Sequence, residues 1–186
     1  MSGASRRRAV FLDRDGVLND VLERDGAPVS PRRAAEFRIA EGAPEAVGRL
    51  RQAGLPVLVV TNQPDLARGY MEPTEHERML AALRAAVPLD DIAVCPHDDA
   101  DGCACRKPEP GMLLMLAERH HLDLATSVLV GDGWRDMEAA RRAGCHTVLL
   151  ERDYNAGATA DAVVATLKEA VDLILNDPQR GGMHVV

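Results

Sequence analysis

The sequence predicts an α/β protein, a central parallel sheet covered by helices on both faces. Three observations lead there. Short apolar runs alternate with helical patterns, the connections between runs are long enough to hold a crossover helix, and the run Val57-Leu58-Val59-Val60 does not alternate apolar with polar. A strand buried on both faces reads that way, and repeated strand–helix–strand units build a parallel, three-layer, Rossmann-like sandwich. The 186 residues suit one domain, 10–176, with no stretch long enough for a separate cap domain. A domain of this size buries roughly 70% of its unfolded surface and so makes its own core.

The elements follow in order. Residues 1–9 read as a mobile tail and 10–15 as the first strand. Gly26, Pro28, Pro31 and mixed charges make 19–41 a loop that folds over the sheet edge. Pro44 starts a helix through Ala46, Val47, Leu50 and Ala53, with Gly54 just past its end. Val57 to Val60 is the second strand, ending in Thr61-Asn62-Gln63. Thr74-x-x-Glu77 has the pattern of a capping box and predicts a helix over 74–86. Ile92 to Val94 is a third strand, and Pro110 opens a helix through Leu113, Leu114, Leu116 and Ala117. Ser127 to Val130 is a fourth strand ending at Gly131-Asp132, Met137 to Ala143 is helical, and His146 to Leu150 is a fifth strand. A last helix is expected over 161–175, with 177–186 frayed.

Composition narrows the function classes. At 46% hydrophobic and 27% charged, the chain is a globular one. Its formal charge is −7, from 22 basic and 29 acidic residues, and aromatic residues are 3%. Nucleic-acid binding needs a clustered cationic surface and stacking rings, so no nucleic-acid partner is expected. The arginines at 6–8 precede only four apolar residues, too few for a leader core or a membrane span, so a cytoplasmic, monomeric protein with no membrane partner is expected.

Chemistry gathers at the strand ends. Val10-Phe11-Leu12 delivers Asp13 and Asp15 to the carboxyl edge of the sheet, where Gly16 lets the chain turn away. A carboxylate there can bind Mg2+ or attack phosphorus, and a second can move a proton. Thr61 and Asn62 follow the second strand, Arg106 and Lys107 lie beyond the third, and Asp132 and Asp136 follow the fourth. In a parallel sheet all these ends share one edge. Taken singly, Thr61 reads as a cap and Lys107 as a solvated charge; the four ends together make a crevice lined by a nucleophile, a hydroxyl, a cation and acidic ligands.

Cys95, His97, Cys103 and Cys105 give four soft ligands within eleven residues. Three thiolates and an imidazole suit tetrahedral Zn2+ with no open position, a structural zinc-binding loop over 95–105; buried free cysteines with a surface histidine are the alternative.

The ordered set Asp13-x-Asp15, Thr61, Lys107 and Asp132 with Asp136 resembles the haloacid-dehalogenase-like phosphatases. Phe11 to Asn19, Thr61-Asn62-Gln63, Ala67 to Tyr70, Cys95-Pro96-His97 and Cys103 to Pro108 resemble its branch of heptose bisphosphate and histidinol phosphatases. The resemblance implies a Mg2+-dependent sugar phosphatase. Asp13 would be the nucleophile and Asp15 the acid and base. Asp13, the Asp15 carbonyl and Asp132 would ligate Mg2+. Thr61, Asn62 and Lys107 would hold the transferring phosphoryl group, with Asp136 supporting Lys107. Arg106, with Arg68 a weaker candidate, would contact a second phosphate or a hydroxyl. D-glycero-D-manno-heptose 1,7-bisphosphate, cleaved at the 7-phosphate, is the preferred substrate; histidinol phosphate, or binding of a phospho-sugar without hydrolysis, are the alternatives. Two departures concern recognition. Gly133 stands where the branch usually carries a basic residue, with Trp134 and Arg135 placed to compensate, and the segment 98–102 is short and acidic.

Overall fold

The computed structural model describes residues 6–176. Residues 1–5 and 177–186, part of the expected tail and all of the expected frayed end, lie outside the described residues. The chain runs through β1 (Val10–Leu12), β2 (Leu22–Arg24), β3 (Ala27–Val29), α1 (Ala43–Gln52), β4 (Val57–Asn62), α2 (Pro64–Ala67), α3 (Pro73–Ala86) and β5 (Asp91–Cys95). It continues with α4 (Gly111–Arg119), β6 (Val128–Gly131), α5 (Trp134–Ala143), β7 (His146–Leu150), β8 (Ala162–Val164) and α6 (Leu167–Asn176). No described helix is long and apolar enough to cross a membrane.

Six strands form one parallel sheet in the order β5-β4-β1-β6-β7-β8. The strand pleat divides the core. Val10, Leu12, Val57, Val59, Val128 and Val130 face α1, α3 and α6, while Phe11, Leu58, Val60 and Leu129 face α4 and α5. Each face is apolar throughout, as the non-alternating runs required. β1 lies in the middle, with Leu12 level with both Val59 and Val130. The chain winds outward from β1 in one direction through β4 and β5 and in the other through β6, β7 and β8. The carboxyl end of β1 is therefore the switch point where open α/β sheets open a crevice.

Several expectations change. The tail ends earlier than residue 9, because Arg7 pairs with Leu122 and Ala9 is fully buried. The first strand stops at Leu12, and the chain turns at once: Gly16 adopts φ +77°, and its amide donates to the Asn19 carbonyl at 2.8 Å. The 19–41 segment contains the β2–β3 hairpin, whose three-residue strands are too short to show a period. The helix predicted over 74–86 starts one residue sooner, with Glu72 as its cap and Pro73 first, so Thr74 caps nothing. The helix predicted over 161–175 is two elements. Ala162–Val164 extends the sheet beside β7, and α6 begins only at Leu167. The sheet has six strands rather than five.

Candidate active site

β1 ends where its neighbours end, so the side chains that follow each strand converge. Lys107 Nζ donates to Asp13 Oδ1 at 2.7 Å, to Asp136 Oδ1 at 2.5 Å and to the Val60 carbonyl at 2.8 Å. Its side chain is only 4% exposed, so these pairs act with little screening from solvent. Lys107 is one of two lysines in a chain with twenty arginines. A compact ammonium fits among three oxygens from different directions, which a planar guanidinium does not. Asn62 fixes the segment that carries it: Asn62 Nδ2 donates to the Lys107 carbonyl at 2.9 Å, and the Lys107 amide donates to Asn62 Oδ1 at 3.0 Å.

Asp132 and Asp136 flank the start of α5. Asp136 sits in its first turn, and its second oxygen accepts from the Gly133 amide at 3.0 Å. Gly131 makes that approach possible, since a Cβ there would lie 2.4 Å from Asp136 Cβ. Gly16 plays the matching part, for a Cβ on it would lie 1.9 Å from Asp132 Oδ2. Oxygens of Asp13, Asp132 and Asp136 lie within 4.8 Å of one another. Burial, and after it the neighbouring carboxylates, push the Asp13 carboxyl well above its ordinary value against the pull of Lys107. Burial and Asp136 push Asp132 up to about 6. The cluster thus carries more negative charge than Lys107 offsets, and hard oxygen donors short of positive charge fit a divalent cation such as Mg2+.

This has a measurable pH signature. A carboxyl raised from 3.8 to about 6 disfavours the folded state once it ionises, so its contribution to stability falls as pH rises from about 4 to about 6. The full penalty is about 3 kcal/mol. A bound cation removes it. Adding Mg2+ is expected to raise the melting temperature by about 5 °C more at pH 7.5 than at pH 5; equal shifts at both pH values would count against the cation site.

Asp15 is held differently. Arg14, which is fully buried, grips it through Nη2 at 2.7 Å, while Asn19 Nδ2 at 2.9 Å, Ser30 Oγ at 2.9 Å and Gln63 Nε2 at 2.8 Å complete the shell. Burial opposes its charge, but the Arg14 guanidinium and the donated hydrogen bonds outweigh burial and hold the carboxyl below its ordinary value. Thr61 is 1% exposed, and its Oγ1 accepts from Gln63 Nε2 at 2.8 Å.

The main cleft, of roughly 630 Å³, is lined by Asp13, Asp15, Asn62, Lys107, Asp132 and Asp136 among others. It runs into a second cleft beside β3, where Arg106 and Arg68 lie. Of the catalytic and substrate-binding residues read from sequence, Thr61 lines neither cleft, and Arg68 and Arg106 reach only the second of the two. Ser30, Gln63, Tyr154 and Asn155 were not among the site residues read from sequence. Tyr154 Oη donates to Asp132 Oδ2, and Asn155 Nδ2 donates to the Asp132 carbonyl at 2.8 Å. Both follow the end of β7, so the strand-end rule applied to a fifth strand would have found them.

Cys95, His97, Cys103 and Cys105 converge at the end of β5. The separations given by their donor atoms run from 3.2 to 3.6 Å. A tetrahedron with Zn–S bonds of about 2.3 Å has edges near 3.8 Å, so a modest expansion would admit zinc. Burial pushes the Cys95 thiol up to about 12, and a cation would have to displace its proton. The cluster lies directly before Arg106 and Lys107 in the chain.

Comparison with known proteins gives a consistent result. A family model described as HAD-hydrolase-like matches residues 104–177. A D-glycero-beta-D-manno-heptose-1,7-bisphosphate 7-phosphatase of Bordetella bronchiseptica is 41% identical over 149 residues, 77% of this chain and 80% of the relative. The enzyme of that name from Escherichia coli K12 is 34% identical over 180 residues, 90% of this chain and 88% of the relative. Among solved structures, the D,D-heptose 1,7-bisphosphate phosphatase of B. bronchiseptica, complexed with magnesium and phosphate, superposes with a TM-score of 0.75 at 35% identity, covering 91% of this chain and 99% of that one.

Proposed function

The chain belongs to the haloacid-dehalogenase-like phosphatases, and from that premise we propose that it removes the 7-phosphate of D-glycero-D-manno-heptose 1,7-bisphosphate through an aspartyl phosphate on Asp13. The observation that carries the reading is the Lys107 ammonium held between Asp13 and Asp136, with Asp132 alongside, at one edge of the sheet.

A phosphate dianion approaching a carboxylate meets a repulsion of roughly 4 kcal/mol per charge pair at 4 Å and an effective dielectric near 20. Asp13, Asp132 and the Asp15 carbonyl would hold Mg2+, which when bound would supply the opposing charge. The Asp13 oxygen attacks phosphorus, and the bond from phosphorus to the sugar oxygen breaks. Lys107 and the Asn62 amide take up charge on the transferring group. Thr61, whose Oγ1 accepts from Gln63 Nε2, supports that arrangement.

Asp15 protonates the departing oxygen and then takes a proton from the water that splits the aspartyl phosphate. In the free protein its pKa is depressed, which favours the second task. Arrival of a phosphate dianion beside it raises its pKa by like-charge repulsion and so equips it for the first. Cys95, His97, Cys103 and Cys105 would hold a structural Zn2+, which would fix the segment presenting Arg106 and Lys107.

Phosphate release from heptose 1,7-bisphosphate and histidinol phosphate, each with and without Mg2+, tests the reading. At least a tenfold preference in kcat/KM for the heptose, dependent on Mg2+, is expected. A tenfold preference for histidinol phosphate would transfer the assignment to that substrate.

A further inference from the structure

The second cleft holds an unusual pairing of charges. Arg106 is 93% buried, and its Nε donates to Asp99 Oδ1 at 2.7 Å while Nη1 donates to the His97 carbonyl at 3.2 Å. Arg135 Nη2 lies 3.6 Å from the other oxygen of the same Asp99, and its buried Nε has no hydrogen-bond partner. The Arg135 guanidinium also lies over the Trp134 ring, 5.3 Å from its centroid, which limits where it can point. The partners differ in exposure: the Asp99 side chain is 59% exposed and that of Arg135 42%, whereas that of Arg106 is 8% exposed.

We propose that Asp99 is a built-in placeholder for a second anionic group of the substrate, and that Arg135 is a cation of the subsite which that group enters. Two guanidiniums converge on one carboxylate as they would on a phosphate, and the carboxylate is the most exposed of the three groups. This cleft shares Ser30, Asn62 and Arg135 with the main cleft, so a small molecule with one phosphate at Asp13 can extend a second anion into it. Arg68 has its own acidic partner, Asp98 at 2.5 Å, and stays outside this exchange. The substrate's second phosphate therefore competes with Asp99 for Arg106 and Arg135. A molecule lacking that group leaves the internal pair closed and gains nothing from either arginine.

The proposal rests on the phosphatase reading above and gives it a specificity device. Asp99→Asn and Arg135→Gln, each checked by circular dichroism and thermal melting, are compared with the native chain in two assays. One measures KM for heptose 1,7-bisphosphate and for the 7-monophosphate. The other measures inhibition of aryl-phosphate hydrolysis by fructose 1,6-bisphosphate and by fructose 6-phosphate. Asp99→Asn is expected to raise the preference for the bisphosphate over the monophosphate about fivefold in the inhibition assay, and Arg135→Gln to lower it about tenfold. Mono- and bisphosphates responding alike to both substitutions would overturn the proposal. If the native chain leaves the heptose intact while the fructose pair responds as expected, the heptose assignment fails and the placeholder stands.

Discussion

Asp13→Asn is expected to lower kcat on an aryl phosphate by at least about 10^4-fold while leaving the fold intact or more stable. The amide has the size of the carboxyl but cannot attack phosphorus, and a loss of that size is about 5.5 kcal/mol of transition-state stabilisation. Stability moves the other way for a reason visible in the site. Asp13 ionises there against burial and the charges of Asp136, Asp132 and Asp15. Removing its charge relieves that repulsion, and Lys107 keeps Asp136 and the Val60 carbonyl as partners. Steady-state turnover and a melting curve on the same sample decide the matter. Turnover within tenfold of the native value would remove Asp13 as nucleophile, and a lower melting temperature would contradict the charge balance described for the cluster.

Lys107→Met has the opposite profile, because it damages both properties. The methionine fills much of the volume but leaves Asp13 and Asp136 buried without their cation. Breaking a buried pair from one side costs about 3 to 5 kcal/mol, or about 10 °C in melting temperature for a chain of this size. Without the ammonium the pKa of Asp13 rises further, so the penalty is full at neutral pH and fades as pH falls and that carboxyl takes up a proton. The melting-temperature gap from the native chain should therefore shrink between pH 7.5 and pH 4.5. Adding Asp136→Asn to Lys107→Met should recover part of the stability and none of the activity, since charge on the transferring phosphoryl group still meets no cation. A pH-independent gap, or activity restored by the second substitution, would show that Lys107 acts by packing alone.

Much of this was readable from the residues because strand ends are local signals. Leu12-Asp13, Val60-Thr61 and Val130-Gly131 each mark a point where an apolar run stops, and a parallel sheet puts such points on one edge whatever lies between them. What the sequence concealed depends on long-range pairing. Ser30 reaches Asp15 because a hairpin of two three-residue strands folds back over the site, and strands that short carry no period. Gln63 was visible as a neighbour of Thr61, but its turn toward Asp15 is a matter of side-chain direction. β8 was absorbed into a predicted helix because Ala162-Val163-Val164 precedes an amphipathic stretch without a break in polarity. The partner of Thr61 was hidden for a similar reason. Its hydroxyl oxygen accepts from Gln63 Nε2, a pairing set by side-chain direction, and the hydroxyl keeps its own proton to donate.

The lysine of the site rides on a segment tied at two places, to the Asn62 side chain through a pair of hydrogen bonds with the Lys107 main chain and to three cysteines and a histidine a few residues earlier. Oxidative coupling of two of those sulfurs would alter the path of that segment without touching a single carboxylate. Such a coupling would carry a change in the oxidation state of those sulfurs to the position of the ammonium, although no sulfur takes part in the chemistry.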